Sequence, residues 1–228
     1  MQKDISSNVS HFSSVQDFIS SLTKNFEINS NDLATLRKLD KLVPSSYSTN
    51  SYSILFYFVT KFFKPKTVVE FGVLGCYSII SMGLGVKNEN IAQSVIRYDL
   101  FEDYEFTSFA LKDAIARVEK FNLTKIIILK KANALEGSLI ENALKNNDLI
   151  HIDLSNEGNL FNRILSANFK KGSIIILEGG SIQRDEETWI KKYGAKEIYP
   201  VIKKFQEIRN DITISVIDAF PSVTIIQT

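Results

Sequence analysis

From Pro65 onward, short β-branched apolar runs alternate with stretches of helical periodicity, and no other feature restricts the fold as strongly. The runs fall at 67–71, 94–99, 125–129, 148–153 and 172–177, each bounded by polar turns. Helical spacing is clearest over 105–121, where Phe106, Phe109, Ala110, Ala114, Ile115 and Val118 supply an apolar face, and weaker over 78–86, 137–145 and 158–168. Near-continuous apolar runs suit strands buried on both faces. Repeated strand–helix–strand units then require right-handed crossovers and a parallel sheet covered on both sides. The last stretch breaks the pattern. An amphiphilic segment at 186–193 and a helix at 200–210 precede two strands, 212–217 and 222–227, separated by Asp218-Ala-Phe-Pro221. The expected fold is therefore α/β, doubly wound and mostly parallel, with an antiparallel, hairpin-like finish.

Before Pro65 the period is helical. Phe12, Val15, Phe18, Ile19 and Leu22 mark a helix over 11–24, and Leu33, Leu36, Leu39 and Leu42 mark another over 32–42. A polar loop over 43–51 leads to a third helix, 51–63, which Pro65 stops. Residues 1–64 are thus expected to form a helical extension packed on one folded unit, 65–228. Lys and Arg number 27 against 26 Asp and Glu, so no global field gathers nucleic acid or anionic lipid. The longest apolar run, 54–59, falls well short of the ~20 residues of a bilayer span. Cys76 is the only cysteine, which excludes an intramolecular disulfide or a cysteine-based zinc cluster, and two histidines cannot build a His-rich site. A cytoplasmic location without nucleic-acid or membrane partners is expected.

In such sheets ligands bind beyond the carboxyl ends of the strands, where the strand order reverses, and the first strand ends at Glu70-Phe-Gly72. Gly72 and Gly75 permit tight turning and close approach of a ligand, and Ser78 is placed to begin the next helix. Asp99 closes the second strand about 20–30 residues later, where a carboxylate can accept both hydroxyls of a ribose. Its other reading is a turn or cap carboxylate, with Glu102 and Asp103 close by. Neither a Gly-x-Gly-x-x-Gly fingerprint nor a Gly-Lys-Ser/Thr loop occurs, so the sequence suits a nucleoside without phosphates.

The segment Val68-Val-Glu-Phe-Gly-Val-Leu-Gly-Cys-Tyr-Ser78 resembles motif I of class I S-adenosylmethionine-dependent methyltransferases, with Glu70 at the acidic position. Tyr98-Asp-Leu-Phe-Glu102 resembles their ribose-binding motif, Ala132-Asn-Ala-Leu-Glu136 their adenine-side loop, and Asp148-Leu-Ile-His-Ile-Asp153 their motif IV. The match runs from Pro65 to Leu177 and is nearest to the small-molecule O-methyltransferases that include macrocin-type sugar enzymes. It implies a Rossmann-like fold and an S-adenosyl-L-methionine cofactor held by Glu70, Gly72, Gly75, Ser78, Asp99 and Asn133. The implied reaction is methyl transfer to a hydroxyl of a small molecule, a sugar being one candidate.

The chain departs from the pattern at three places. Cys76 stands where relatives carry a glycine, Asn133 where many carry Asp, and Asp153-Leu-Ser-Asn156 lacks the usual second acid and its histidine or aromatic partner. The last departure leaves open a noncatalytic binding protein that keeps the fold. For catalysis the candidate base is Asp153, with His151 on the same strand face. The other reading of His151 is a hydrogen-bonded core histidine. Glu178, Arg184 and Trp189 are candidate acceptor contacts, against readings as surface charge or packing. Metal-dependent relatives hold Mg2+ with acids after strands four and five, where Asp153 and Glu178 stand, but Gly179 supplies no third side-chain ligand. In related enzymes N-terminal helices cover the pocket or form a homodimer contact.

Overall fold

The computed structural model describes residues 19–20, 28–72, 74–87, 94–104, 109–154, 157–186, 191, 194–218 and 221–228. Most of the helix expected at 11–24 and most of the amphiphilic segment at 186–193, Trp189 included, lie outside the described residues. Strands β1 (Thr67–Gly72), β2 (Ser94–Asp99), β3 (Ile127–Lys131), β4 (Leu149–Asp153), β5 (Ile174–Glu178), β6 (Thr213–Ile217) and β7 (Val223–Gln227) form one sheet in the order β3-β2-β1-β4-β5-β7-β6. Pairings from β3 through β5 are parallel; β7 runs antiparallel between β5 and β6.

Helices α1 (Ser30–Leu42), α2 (Ser46–Thr49), α3 (Tyr52–Phe63), α4 (Tyr77–Lys87) and α5 (Leu111–Lys120) precede β3, and α6 (Leu139–Asn146), α7 (Gly158–Leu165), α8 (Ile182–Glu186) and α9 (Tyr199–Ile208) follow it. Alternate residues of each strand feed different cores. Val68, Val95 and Leu149 pack with α1, α3, α4 and α5, whereas Val69, Ile150 and Ile175 pack with α6, α7 and α9. Helix α3 is buried at every residue from Tyr52 to Thr60, as an all-apolar helix must be. It crosses α4 so closely that a Cβ on Gly85 would collide with Thr60 Oγ1 and come within 2.8 Å of the Tyr57 carbonyl oxygen. Two aspartates pin α1 onto these helices: Tyr57 Oη donates to Asp32 (2.6 Å) and Tyr77 Oη to Asp40.

Three boundaries differ from expectation for local reasons. The loop over 43–51 contains a helical turn, α2, closed by a reciprocal cap in which Ser48 N donates to Ser45 Oγ (3.1 Å) and Ser45 N to Ser48 Oγ (2.8 Å). Among the described residues of 105–121, helix begins only at Leu111, where Asp113 accepts from Ala110 N (3.2 Å) and Glu102 from Leu111 N (2.9 Å). The buried stripe of that helix is Ala114 and Val118, while Ile115, expected in the core, is 43% exposed. The strand expected at 125–129 starts at Ile127, because Leu123 O accepts from both Ile126 N (2.9 Å) and Ile127 N (2.8 Å) in a tight turn. No helix of the described residues is long and apolar enough to cross a membrane.

Candidate functional site

The order of the strands reverses at β1, which lies between β2 and β4, so the crevice opens at the carboxyl ends of β1 and β4. Their last residues, Gly72 and Asp153, are register partners. Gly72 has φ +80°, and a Cβ there would run into the Asp153 carbonyl, so only glycine lets the chain leave β1 at this height. The chain then turns through Gly75 (φ +79°) and Cys76 (φ +62°) into α4.

A cavity of about 240 Å³ lies at this edge, with Gly72, Tyr98, Asp99, Asn133, Ala134 and Asp153 among its walls. Asp99 Oδ1 accepts from Phe101 N (2.7 Å), and Oδ2 from the Arg97 guanidinium. Each carboxylate oxygen has a second lone pair, so two ribose hydroxyls can still be accepted. Asn133 braces its own loop: Oδ1 accepts from Leu135 N (3.1 Å) and Nδ2 donates to Glu136 (2.9 Å).

Arg97, which nothing in the sequence motifs singles out, also lines this cavity. Its side chain is 1% exposed, pairs with Asp99, and donates to Cys76 Sγ at 2.9 Å. One guanidinium thus ties the Asp99 carboxylate to the turn after β1. It also gives Cys76 a local role: the thiol is an acceptor for a buried cation. Burial pushes that thiol up to about 11, a shift the adjacent Arg97 charge partly opposes. The available signal was an arginine inside the apolar run Val95-Ile-Arg97.

Asp153 is half-buried and borders both this cavity and a larger one. Its acidity is weakened, so its pKa lies well above the usual carboxylate range. Desolvation is the main cause, the charges of Glu178 and Glu70 add to it, and Arg184 and the Tyr47 hydroxyl oppose it. Glu70, His151 and Ser78 sit behind the turn, fully buried: Glu70 Oε2 accepts from Ser78 Oγ (2.6 Å) and lies 3.0 Å from His151 Nδ1. None of the three lines either cavity. The cause is geometric, since Glu70 and His151 are register partners facing α3, with the His151 ring 4.7 Å from that of Phe56. Their place is that of a brace joining β1, β4 and α4.

Glu178 and Arg184, expected to meet the acceptor, meet each other in a two-point pair, Nε–Oε1 2.7 Å and Nη2–Oε2 3.2 Å. Asp185 caps α9 by accepting from Ile198 N (2.9 Å) and Tyr199 N (2.7 Å). The residues do not fit Mg2+ well: Glu178 already neutralises a cation, Gly179 has no ligand atom, and among the described residues no group of three or more His, Cys, Asp or Glu side chains is gathered for a metal.

The larger cavity, about 880 Å³, lies between α2, the turn at Gly75, and α5. Tyr47 lines it, wedged against Tyr52 and Phe56 (5.4 Å each) and stacked on Tyr77 (6.3 Å). Its hydroxyl is buried, makes no hydrogen bond of good geometry, and is within electrostatic reach of the Asp153 carboxyl.

No protein-family model and no curated relative matches the sequence. Solved structures do resemble it. The O-methyltransferase TomG from Streptomyces achromogenes, in complex with SAM, superposes with a TM-score of 0.57 at 13% identity over 95% of this chain and 90% of that one. An O-methyltransferase from Bacillus cereus in complex with SAH gives 0.58 at 13% identity, covering 93% and 97%. CalS11, a TDP-rhamnose 3'-O-methyltransferase of calicheamicin biosynthesis, gives 0.52 at 13% identity, covering 93% and 92%. The chain therefore has the Rossmann-like fold of S-adenosylmethionine-dependent O-methyltransferases.

Proposed function

We propose that this protein is an enzyme that transfers a methyl group from S-adenosyl-L-methionine to a hydroxyl of a small-molecule acceptor, a sugar being one candidate. The observation that carries the reading is the 240 Å³ cavity at the strand-order switch, which combines the Asp99 carboxylate with the Asn133–Ala134 turn. A cradle for phosphates is missing from the sequence, and a nucleoside sulfonium needs none.

The residues present fit that cofactor. Asp99, held by Arg97 and Phe101 N, would accept the ribose hydroxyls. The apolar faces of Tyr98, Leu100 and Ala134 would flank the base, and Gly72 leaves its backbone open to close approach. When bound, the cofactor supplies an electrophilic methyl group on a cationic sulfur. The chain's work is alignment and exclusion of water, with residues 43–47 walling the adjoining cavity. Asp153, at the junction of the two cavities, would take the acceptor's proton. Its low acidity makes its ionised form a stronger base.

Isothermal titration with S-adenosylhomocysteine tests the cofactor assignment: saturable binding weakened by Asp99→Ala supports it, and a folded chain that does not bind overturns it. The altered segment after β4, Asp153-Leu-Ser-Asn156, favours a second reading, cofactor binding without turnover. Incubation with methyl-labelled cofactor and a library of hydroxyl compounds separates the two, because only the first gives labelled product.

A further inference from the structure

We infer that the 880 Å³ cavity is the acceptor chamber and that Arg117 and Lys120 in its wall form a subsite for an acid group, a carboxylate or phosphate carried by the acceptor. This rests on the methyl-transfer reading and adds to it a substrate class.

Size and position come first. The chamber and the smaller nucleoside-sized cavity share Asp153 and Phe109 as walls, so a molecule in one lies beside a molecule in the other. At about 880 Å³ the chamber is much larger than an amino-acid tail requires and lies in the range that holds whole small molecules.

The cations come second. Arg117 and Lys120 lie three residues apart on α5 and share a face. Arg117 is held in place: Nη1 donates to Gly75 O (2.8 Å), and the guanidinium lies 4.7 Å from the centre of the Phe109 ring. A guanidinium has five N–H donors, and one is used here, so a fixed fork is left for a two-point anion contact. Among the described residues neither Arg117 nor Lys120 is in a salt bridge. Arg184 contrasts with them, since Glu178 already occupies its fork. Of the acids on the chamber wall, Asp113 accepts from Ala110 N, and Asp153 borders the cavity where the sulfonium charge would answer it.

The cofactor's own α-carboxylate is the other source of such an anion, and the test separates the two. Wild-type protein and an Arg117→Met/Lys120→Met variant are loaded with S-adenosylhomocysteine. Each is titrated by ligand-observed NMR with two matched pairs, 4-hydroxybenzoate against 4-hydroxybenzamide and glucose 6-phosphate against glucose. The acid member of at least one pair should bind wild type about tenfold more tightly or better than its neutral partner. That preference should vanish in the variant, which should still fold and still bind S-adenosylhomocysteine. Equal binding within both pairs, no binding of any probe, or a preference that survives in the variant overturns the inference. If the variant loses S-adenosylhomocysteine but keeps 5'-methylthioadenosine, which lacks the amino-acid tail, the pair serves the cofactor; the inference fails while the methyl-transfer reading stands. If wild type binds neither nucleoside, that underlying reading fails.

Discussion

Gly72→Ala probes the junction on which the site depends, and its cost can be worked from the geometry. Holding an alanine at φ +80° costs about 1–2 kcal/mol. The new methyl group would also overlap the Asp153 carbonyl, which belongs to the neighbouring strand and cannot swing away as a side chain would. Forcing the strands apart adds roughly 1–3 kcal/mol, as overpacking does elsewhere. The sum, about 2–5 kcal/mol, corresponds to a fall in melting temperature of roughly 5–15 °C for a chain of this size. Gly172 provides the control, because it has φ +78° but nothing within 4 Å of its Cβ position, so Gly172→Ala carries the backbone cost alone. Circular-dichroism melts of both variants, with and without S-adenosylhomocysteine, make the comparison. Gly72→Ala should melt lower than Gly172→Ala and gain little from the ligand, whereas Gly172→Ala should gain as much as wild type. Equal melting temperatures with full ligand stabilisation in both would refute the reasoning.

Three further outcomes are expected. Arg97→Met leaves the part-buried Asp99 carboxylate without its cation and should cost about 1–3 kcal/mol in urea unfolding while weakening S-adenosylhomocysteine binding; an unchanged midpoint would show that the pair is dispensable. Cys76, fully buried with its thiol pushed up to about 11, should resist iodoacetamide at pH 8 in the native protein and react once unfolded, as mass spectrometry would show. For Asp153 the folded-state pKa lies above the unfolded one, so the folded state holds the proton more tightly and stability declines as pH rises between the two. Asp153→Asn cannot ionise, so the variant's melting temperature should gain on wild type from pH 5 to pH 8 while methyl transfer is lost; a parallel pH dependence in both proteins would contradict the assignment.

The alternation of β-branched runs and helical periods was enough to read the parallel sheet and its antiparallel finish, because strands buried on both faces leave a pattern that local context barely alters. Boundaries were less legible. The late start of α5 depends on Glu102 and Asp113 reaching the amide groups of Leu111 and Ala110, and no periodicity encodes that. Gly72, Asp99 and Asp153 could be placed at the crevice because each ends a strand, and strand ends are set by topology. The contacts of Arg97 with Cys76 and of Glu70 with His151 could not be read, since they join side chains 21 and 81 residues apart. Arg184 looks available in the sequence for a different reason: its partner Glu178 is nearby in the chain, but the two-point geometry depends on the turn after β5. In the sequence Tyr47 belongs to a polar loop, and only the packing of α2 against α3 brings its ring beside Asp153.

The most direct measurement is calorimetric titration of the intact chain with S-adenosylhomocysteine, alongside Asp99→Ala. The account predicts one site per chain in wild type and a loss of affinity of about tenfold or more in the variant, as removal of a charged acceptor from two hydroxyls would give. A folded wild-type chain that takes up no ligand, or an Asp99→Ala protein that binds as tightly as wild type, would contradict it.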